Sequence, residues 1–156
     1  MPMIVTLDIK LSGWRKTTDS WSARVEVTED TTLNELHDMI LRLLEFDNDH
    51  LHAFYAGRNW RNRKVTFGEP ADTPYGFNEA EDMSLGDVFP LPKGHKLLYH
   101  FDFGDDWLFE ISHRRNANPS AQAPEYPHLH QEMGRRPIQY PCEYDEGLTS
   151  PSTRTA

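Results

Sequence analysis

Cysteine is nearly missing: Cys142 is the single thiol in 156 residues. No intrachain disulfide can form, and no zinc site built on several thiolates. Positive charge is scarce as well. Sixteen Lys and Arg face 25 Asp and Glu, for a formal net charge of −9. That balance opposes a general nucleic-acid-binding surface, because phosphate contacts need clustered cations. It fits a soluble protein or one that meets a basic partner. Long apolar runs are missing too, none approaching the roughly 18 residues of a membrane span. The opening MPMIVTLDIK has no basic segment ahead of its apolar residues, which alternate instead of running together. No secretory leader and no membrane span are therefore expected, and the cytoplasm is the default location.

Aromatic residues are plentiful, at 12% of the chain, although the hydrophobic fraction is only 37% and the mean hydropathy −0.72. Most of them precede residue 110, which localises the expected core to a domain at 1–115. Period-two alternation marks strands at 3–11 and 21–28. The string Thr32-Leu33-Asn34-Glu35 fits a capping box, and Leu33, Leu36, Ile40, Leu43 and Leu44 continue at helical spacing, so a helix is predicted over 33–45. A third strand is expected near 50–56, a polar loop or irregular edge at 58–64, and a long acidic loop at 69–82. One helical turn is expected at 84–89. Beyond residue 115 the chain is punctuated by proline. The segment 116–156 reads as a tail that is partly disordered or strapped onto the domain.

The segment YHFDFGDDW, residues 99–107, is predicted to form a hairpin with strands at about 96–103 and 107–113. A connection of Gly104, Asp105 and Asp106 sets Phe103 opposite Trp107 and Phe101 opposite Phe109, all on one buried face. The same register sets His100 opposite Glu110 on the other face. The expected architecture is α+β: an antiparallel-rich mixed sheet of about five strands packed on one main helix, with a β-grasp-like topology as the alternative.

Three segments carry a family resemblance: TTLNELHDMILRLLEFDNDHLHAF, MSLGDVFPLPKGHKLLYHFDFGDDW and LFEISH. In this order they resemble the plasmid pRiA4b ORF-3-like family, whose members are also known as insertion-element TnpR passenger proteins. The resemblance covers roughly residues 3–113. Leu108 and Phe109 stand where the family hairpin usually continues with histidine, and YPCEYDEG keeps a trace of the family's cysteine- and proline-rich ending. The resemblance implies an α+β fold and a link to mobile elements. It implies no established activity, and no catalytic residues carry over.

Three readings of the side chains compete. His50 and His52 share a strand face, as do His100 and Asp102, and His37 on the helix could lie near them. Together His50, His52, His100 and Asp102 could hold a divalent metal in a metal-dependent enzyme. Against this, aspartates at a tight turn commonly bond local backbone N–H groups. Arg58, Arg61, Arg63 and Lys64 surround Trp60, a pattern that could hold phosphate and stack a base, or simply be a solvated loop. Packing and turn formation account for the remaining motifs, so the leading expectation is a non-catalytic binding module with a protein partner.

Overall fold

The structure, a computed structural model, describes residues 3–13, 20–67, 83–114 and 125–139, with backbone alone for 13 and 63–67. In chain order the elements are β1 (Ile4–Gly13), β2 (Trp21–Thr28), α1 (Leu33–Leu44), β3 (His52–Gly57), β4 (Arg63–Phe67), α2 (Leu85–Val88), β5 (Lys96–Phe101), β6 (Trp107–His113) and β7 (His128–Gly134). The seven strands form one sheet in the order β4-β3-β5-β6-β1-β2-β7. Every pairing is antiparallel. The fold is α+β with an antiparallel sheet, as expected, and among the described residues no parallel pair makes the sheet mixed or supports a β-grasp arrangement. The predicted loop at 69–82 falls on residues outside those described, apart from the edges of its neighbours.

Helix α1 starts where its capping box requires. The Thr32 hydroxyl accepts from the Glu35 N–H at 3.1 Å, and the Glu35 carboxylate accepts from the Thr32 N–H at 3.0 Å. It stops in a Schellman arrangement: the Phe46 N–H donates to the Leu41 carbonyl and the Glu45 N–H to the Arg42 carbonyl, with Glu45 at φ 61°. Phe46 is thereby turned inward, its ring 4.8 Å from that of Trp107. The short helix α2 is capped by Ser84 and docks beside the start of α1, where the Leu33 N–H reaches the Met83 carbonyl and the Leu85 N–H the Thr31 carbonyl. Among the described residues no helix is long and apolar enough to cross a membrane.

The core lies between α1 and one face of the sheet. Leu7, Ile9, Trp21, Val25, Leu36, Ile40, Tyr99, Phe101, Trp107 and Phe109 are all buried there. Two expected core residues differ. Leu43 is only partly buried at the flank of α1, and Phe103 is 43% exposed. Phe103 leaves the core because the hairpin connection has five residues, 102–106, instead of three. Phe101 therefore pairs with Trp107, Tyr99 with Phe109, and Glu110 with Leu98 in place of His100. An odd connection keeps the aromatic face intact, while the two-residue lengthening shifts every partner.

Two strands lie where the sequence reading has none. β4 follows the polar loop and pairs with β3 at one edge of the sheet. β7 comes from the proline-punctuated segment and pairs with β2 at the other edge.

Candidate functional site

The residues singled out by sequence fall into separate places. His52 pairs across the sheet with Phe101, and its neighbour Ala53 pairs with His100, so His52 and His100 face opposite sides. On the helix side, His52 stacks face to face on His37, with ring centroids 3.6 Å apart and planes 7° apart. His37 is buried, its Nδ1 2.5 Å from the Tyr99 hydroxyl and its Nε2 3.1 Å from Asn48 Oδ1. An Nε2–H tautomer satisfies both contacts, with Nδ1 accepting from tyrosine. Burial pushes the His52 imidazole down to about 4, against a smaller opposing pull from Asp38.

Asp102 organises the hairpin connection. Its backbone has φ 67°, its Oδ1 accepts from the N–H groups of Gly104 at 3.0 Å and Asp105 at 3.2 Å, and its carbonyl accepts from Asp106. The Asp102 N–H donates to the Leu51 carbonyl, tying the connection to the start of β3. His50 Nε2 approaches Asp102 Oδ2 at 3.4 Å. His100 meets Asp106 instead, at 2.8 Å. Of the four proposed metal ligands the fold thus brings His50 to Asp102 and turns His52 and His100 to opposite faces of the sheet. Among the described residues these four make no common ligand group. Their short-range spacing was legible in sequence, but the left-handed turn at Asp102 breaks the strand alternation on which the grouping rested.

Trp60 packs against the sheet face away from α1. Its indole N–H donates to the Ser12 hydroxyl at 3.0 Å, and its ring makes T-shaped contacts with those of Tyr55 and His100. Trp60, half-buried, thus spends part of its aromatic surface within the fold. Arg58 and Arg61 are exposed, and the side chains of Arg63 and Lys64 lie outside the described residues.

β7 assembles groups that sequence reasoning missed. At its end, the Trp21 indole donates to Glu132 at 2.7 Å and Arg136 donates to the same carboxylate at 2.7 Å and 3.1 Å. The Arg136 hydrogen bond first, and then that of Trp21, holds the Glu132 carboxyl below its ordinary range, and Arg136 is raised in turn. Farther along β7, ligand atoms of Glu26, His128 and His130 lie within 4.8 Å of one another. A signal for the two histidines exists in the sequence, since His-Leu-His occurs twice, at 50–52 and at 128–130.

The flank of α1 and the start of β7 enclose two adjoining cavities. One, of about 360 Å³, is lined by Val27, Asp30, Thr31, Glu35, Met39, Arg42 and Tyr126. The other, of about 350 Å³, is lined by Val25, Met39, Arg42, Leu43, Pro127, His128 and Leu129. Met39, Arg42 and Pro127 border both. The result is a groove with a polar half, bordered by Asp30, Glu35 and Arg42, and an apolar half.

Comparison with known proteins bears on the fold and family. No curated protein matches the chain. A crystal structure of a protein of unknown function from Methanosarcina mazei Go1 is similar, with a TM-score of 0.62 and 24% identity over 83% of this chain and 68% of that one. At that identity the likeness shows a shared fold and nothing more. The model of the plasmid pRiA4b ORF-3-like family matches residues 3–140, and so takes in β7 as well as the aromatic hairpin. The chain belongs to the plasmid pRiA4b ORF-3-like protein family.

Proposed function

We propose that this protein is a non-catalytic interaction module of the cytoplasm that receives a short segment of a partner protein in the groove between α1 and β7. The observation that carries the reading is the groove itself. Val25, Met39, Leu43 and Leu129 offer an apolar seat, and Asp30 and Glu35 border its continuation. An apolar anchor gains roughly 25 cal/mol for each Å² it buries there. Asp30 and Glu35 outnumber Arg42 at that border, on a chain of net charge −9, and so favour a segment with Lys or Arg beside the anchor. The residues first considered for catalysis support the same reading, since Asp102 shapes a turn and His52 packs on His37.

The test is an amide NMR titration of the full chain with two ten-residue peptides, each holding a leucine-phenylalanine anchor, one flanked by lysines and the other by glutamates. The lysine-flanked peptide is expected to shift resonances around 39–43 and 127–129, less so at high salt. Leu43→Ser, at the partly exposed apolar wall, is expected to weaken that response several-fold. Shifts centred elsewhere, equal shifts with both peptides, or none with either would overturn the proposal.

A further inference from the structure

The groove takes up the Val25 and Leu129 face of the β2–β7 pair, the opposite face holds a different kind of site, and His128 borders both. Side chains alternate along β2, so Glu26, between Val25 and Val27, points away from the groove. Glu26 is 1% exposed and pairs with Thr6 of β1, which is also buried. Across the pair, His128 sits directly opposite Glu26. The ladder then slips: Val25 pairs with Leu129, but Arg24 pairs with Gln131, leaving His130 as an extra residue. Such a bulge re-aims a side chain, and here His130 has a ligand nitrogen within 4.8 Å of those of Glu26 and His128.

We propose that Glu26, His128 and His130 form a binding site for one divalent transition-metal ion of the zinc class. Two imidazole nitrogens and one carboxylate oxygen suit zinc, nickel, cobalt or iron far better than magnesium or calcium, which prefer oxygen alone. Ligand bonds of about 2.0–2.1 Å in a tetrahedral site place ligand atoms about 3.3 Å apart. Closing from within 4.8 Å to that spacing requires side-chain rotation, which exposed His130 and half-buried His128 have room to make. The fixed carboxylate supplies the anchor, and the exposed histidine supplies the path from solvent. Three protein ligands leave a coordination position for water or for a donor atom of a partner.

The ion would also have a structural effect. Glu26 belongs to β2, and both histidines belong to the edge strand β7, so a shared ion ties the last strand to the sheet. Binding to the folded chain alone then raises stability by mass action. The site shares His128 with the groove, but its test stands apart from that of the groove, because it uses the metal ion without any peptide.

The experiment is calorimetric titration of ZnCl₂ into the chelator-stripped 156-residue chain at pH 7.5, with Co²⁺ absorption as a report on coordination. One equivalent is expected to bind, with a visible cobalt band of low coordination number and an increase in thermal midpoint. His130→Ala is expected to weaken binding at least about tenfold, as is Glu26→Gln, which keeps the side-chain shape. His50→Ala is expected to bind as the parent chain does, which separates this site from the other His-Leu-His. Absence of stoichiometric zinc in the parent chain would overturn the proposal, as would unchanged binding in His130→Ala. Should Glu26→Gln fail to fold, the exposed His130 variant still decides the matter.

Discussion

His52 and His37 lie face to face at 3.6 Å, so a proton added to His52 places a cation in a buried stack bordered by Phe54 and Tyr99. Its imidazole is pushed from 6.5 to about 4 by burial. A base with a depressed folded value binds its proton in the unfolded chain first. The associated stability is therefore fully present above pH 6.5 and is lost as pH falls toward 4. Between pH 7.5 and pH 5 the loss is about 2 kcal/mol, from the relation of one unit to 1.36 kcal/mol. Denaturant unfolding across that window should show it, and His52→Phe, which keeps a flat ring on His37, should flatten the curve. The window stops at pH 5 for a reason: the Glu132 carboxyl, held low by Arg136, begins to withdraw its own contribution below its ordinary 4.5. A parent curve as flat as that of the variant would show that His52 protonates without cost.

β7 depends on Gly134 for its register at the sheet edge. Gly134 has φ +85°, and a Cβ placed there would lie 2.1 Å from the Ser20 carbonyl oxygen. Neither strain can relax without moving backbone. Gly134→Ala is expected to cost on the order of 1–3 kcal/mol and to speed amide exchange over 128–134 far more than over β5 and β6. Exchange that rises equally everywhere would mean that β7 is not a separately loosened unit. How legible each element was follows from the same physics. β1, β2, α1, β5 and β6 are half-buried or capped, so period and caps reveal them in sequence. β7 is a mostly exposed edge strand, and its period is broken by the bulge at His130, so the string HLHQEMG carries little alternation. β4 opens on the charged Arg63 and Lys64 and reads as loop for the same edge-strand reason. The histidine and aspartate candidates were visible as residue types. Their separation was not, because it rests on a left-handed turn at Asp102 and on which sheet face each strand presents.

For the whole molecule the question is whether residues 1–115 form a complete domain. Three contacts argue that the chain beyond them completes the fold. Trp21, 1% exposed, gives its indole N–H to Glu132. Val25 pairs with Leu129, which packs against the core. Gln139, itself buried, accepts from the Asp47 N–H at 2.6 Å and donates to the Asp47 carbonyl at 3.0 Å, fastening the segment that follows α1. A chain ending at Arg114 loses all three and turns β2 into an edge with Trp21 at its end. Exposing on the order of 100 Å² of apolar surface costs about 2.5 kcal/mol, before the lost hydrogen bonds are counted. The shortened chain is therefore expected to unfold at markedly lower denaturant. It is also expected to self-associate, since a newly bared strand with an apolar end is a template for pairing. Gln139→Ala in the full chain should give a smaller loss, about 1–2 kcal/mol, without self-association. Equal unfolding midpoints for the shortened and full chains, with both monomeric by light scattering, would instead make 1–115 a self-sufficient domain and β7 an accessory strand laid on its edge.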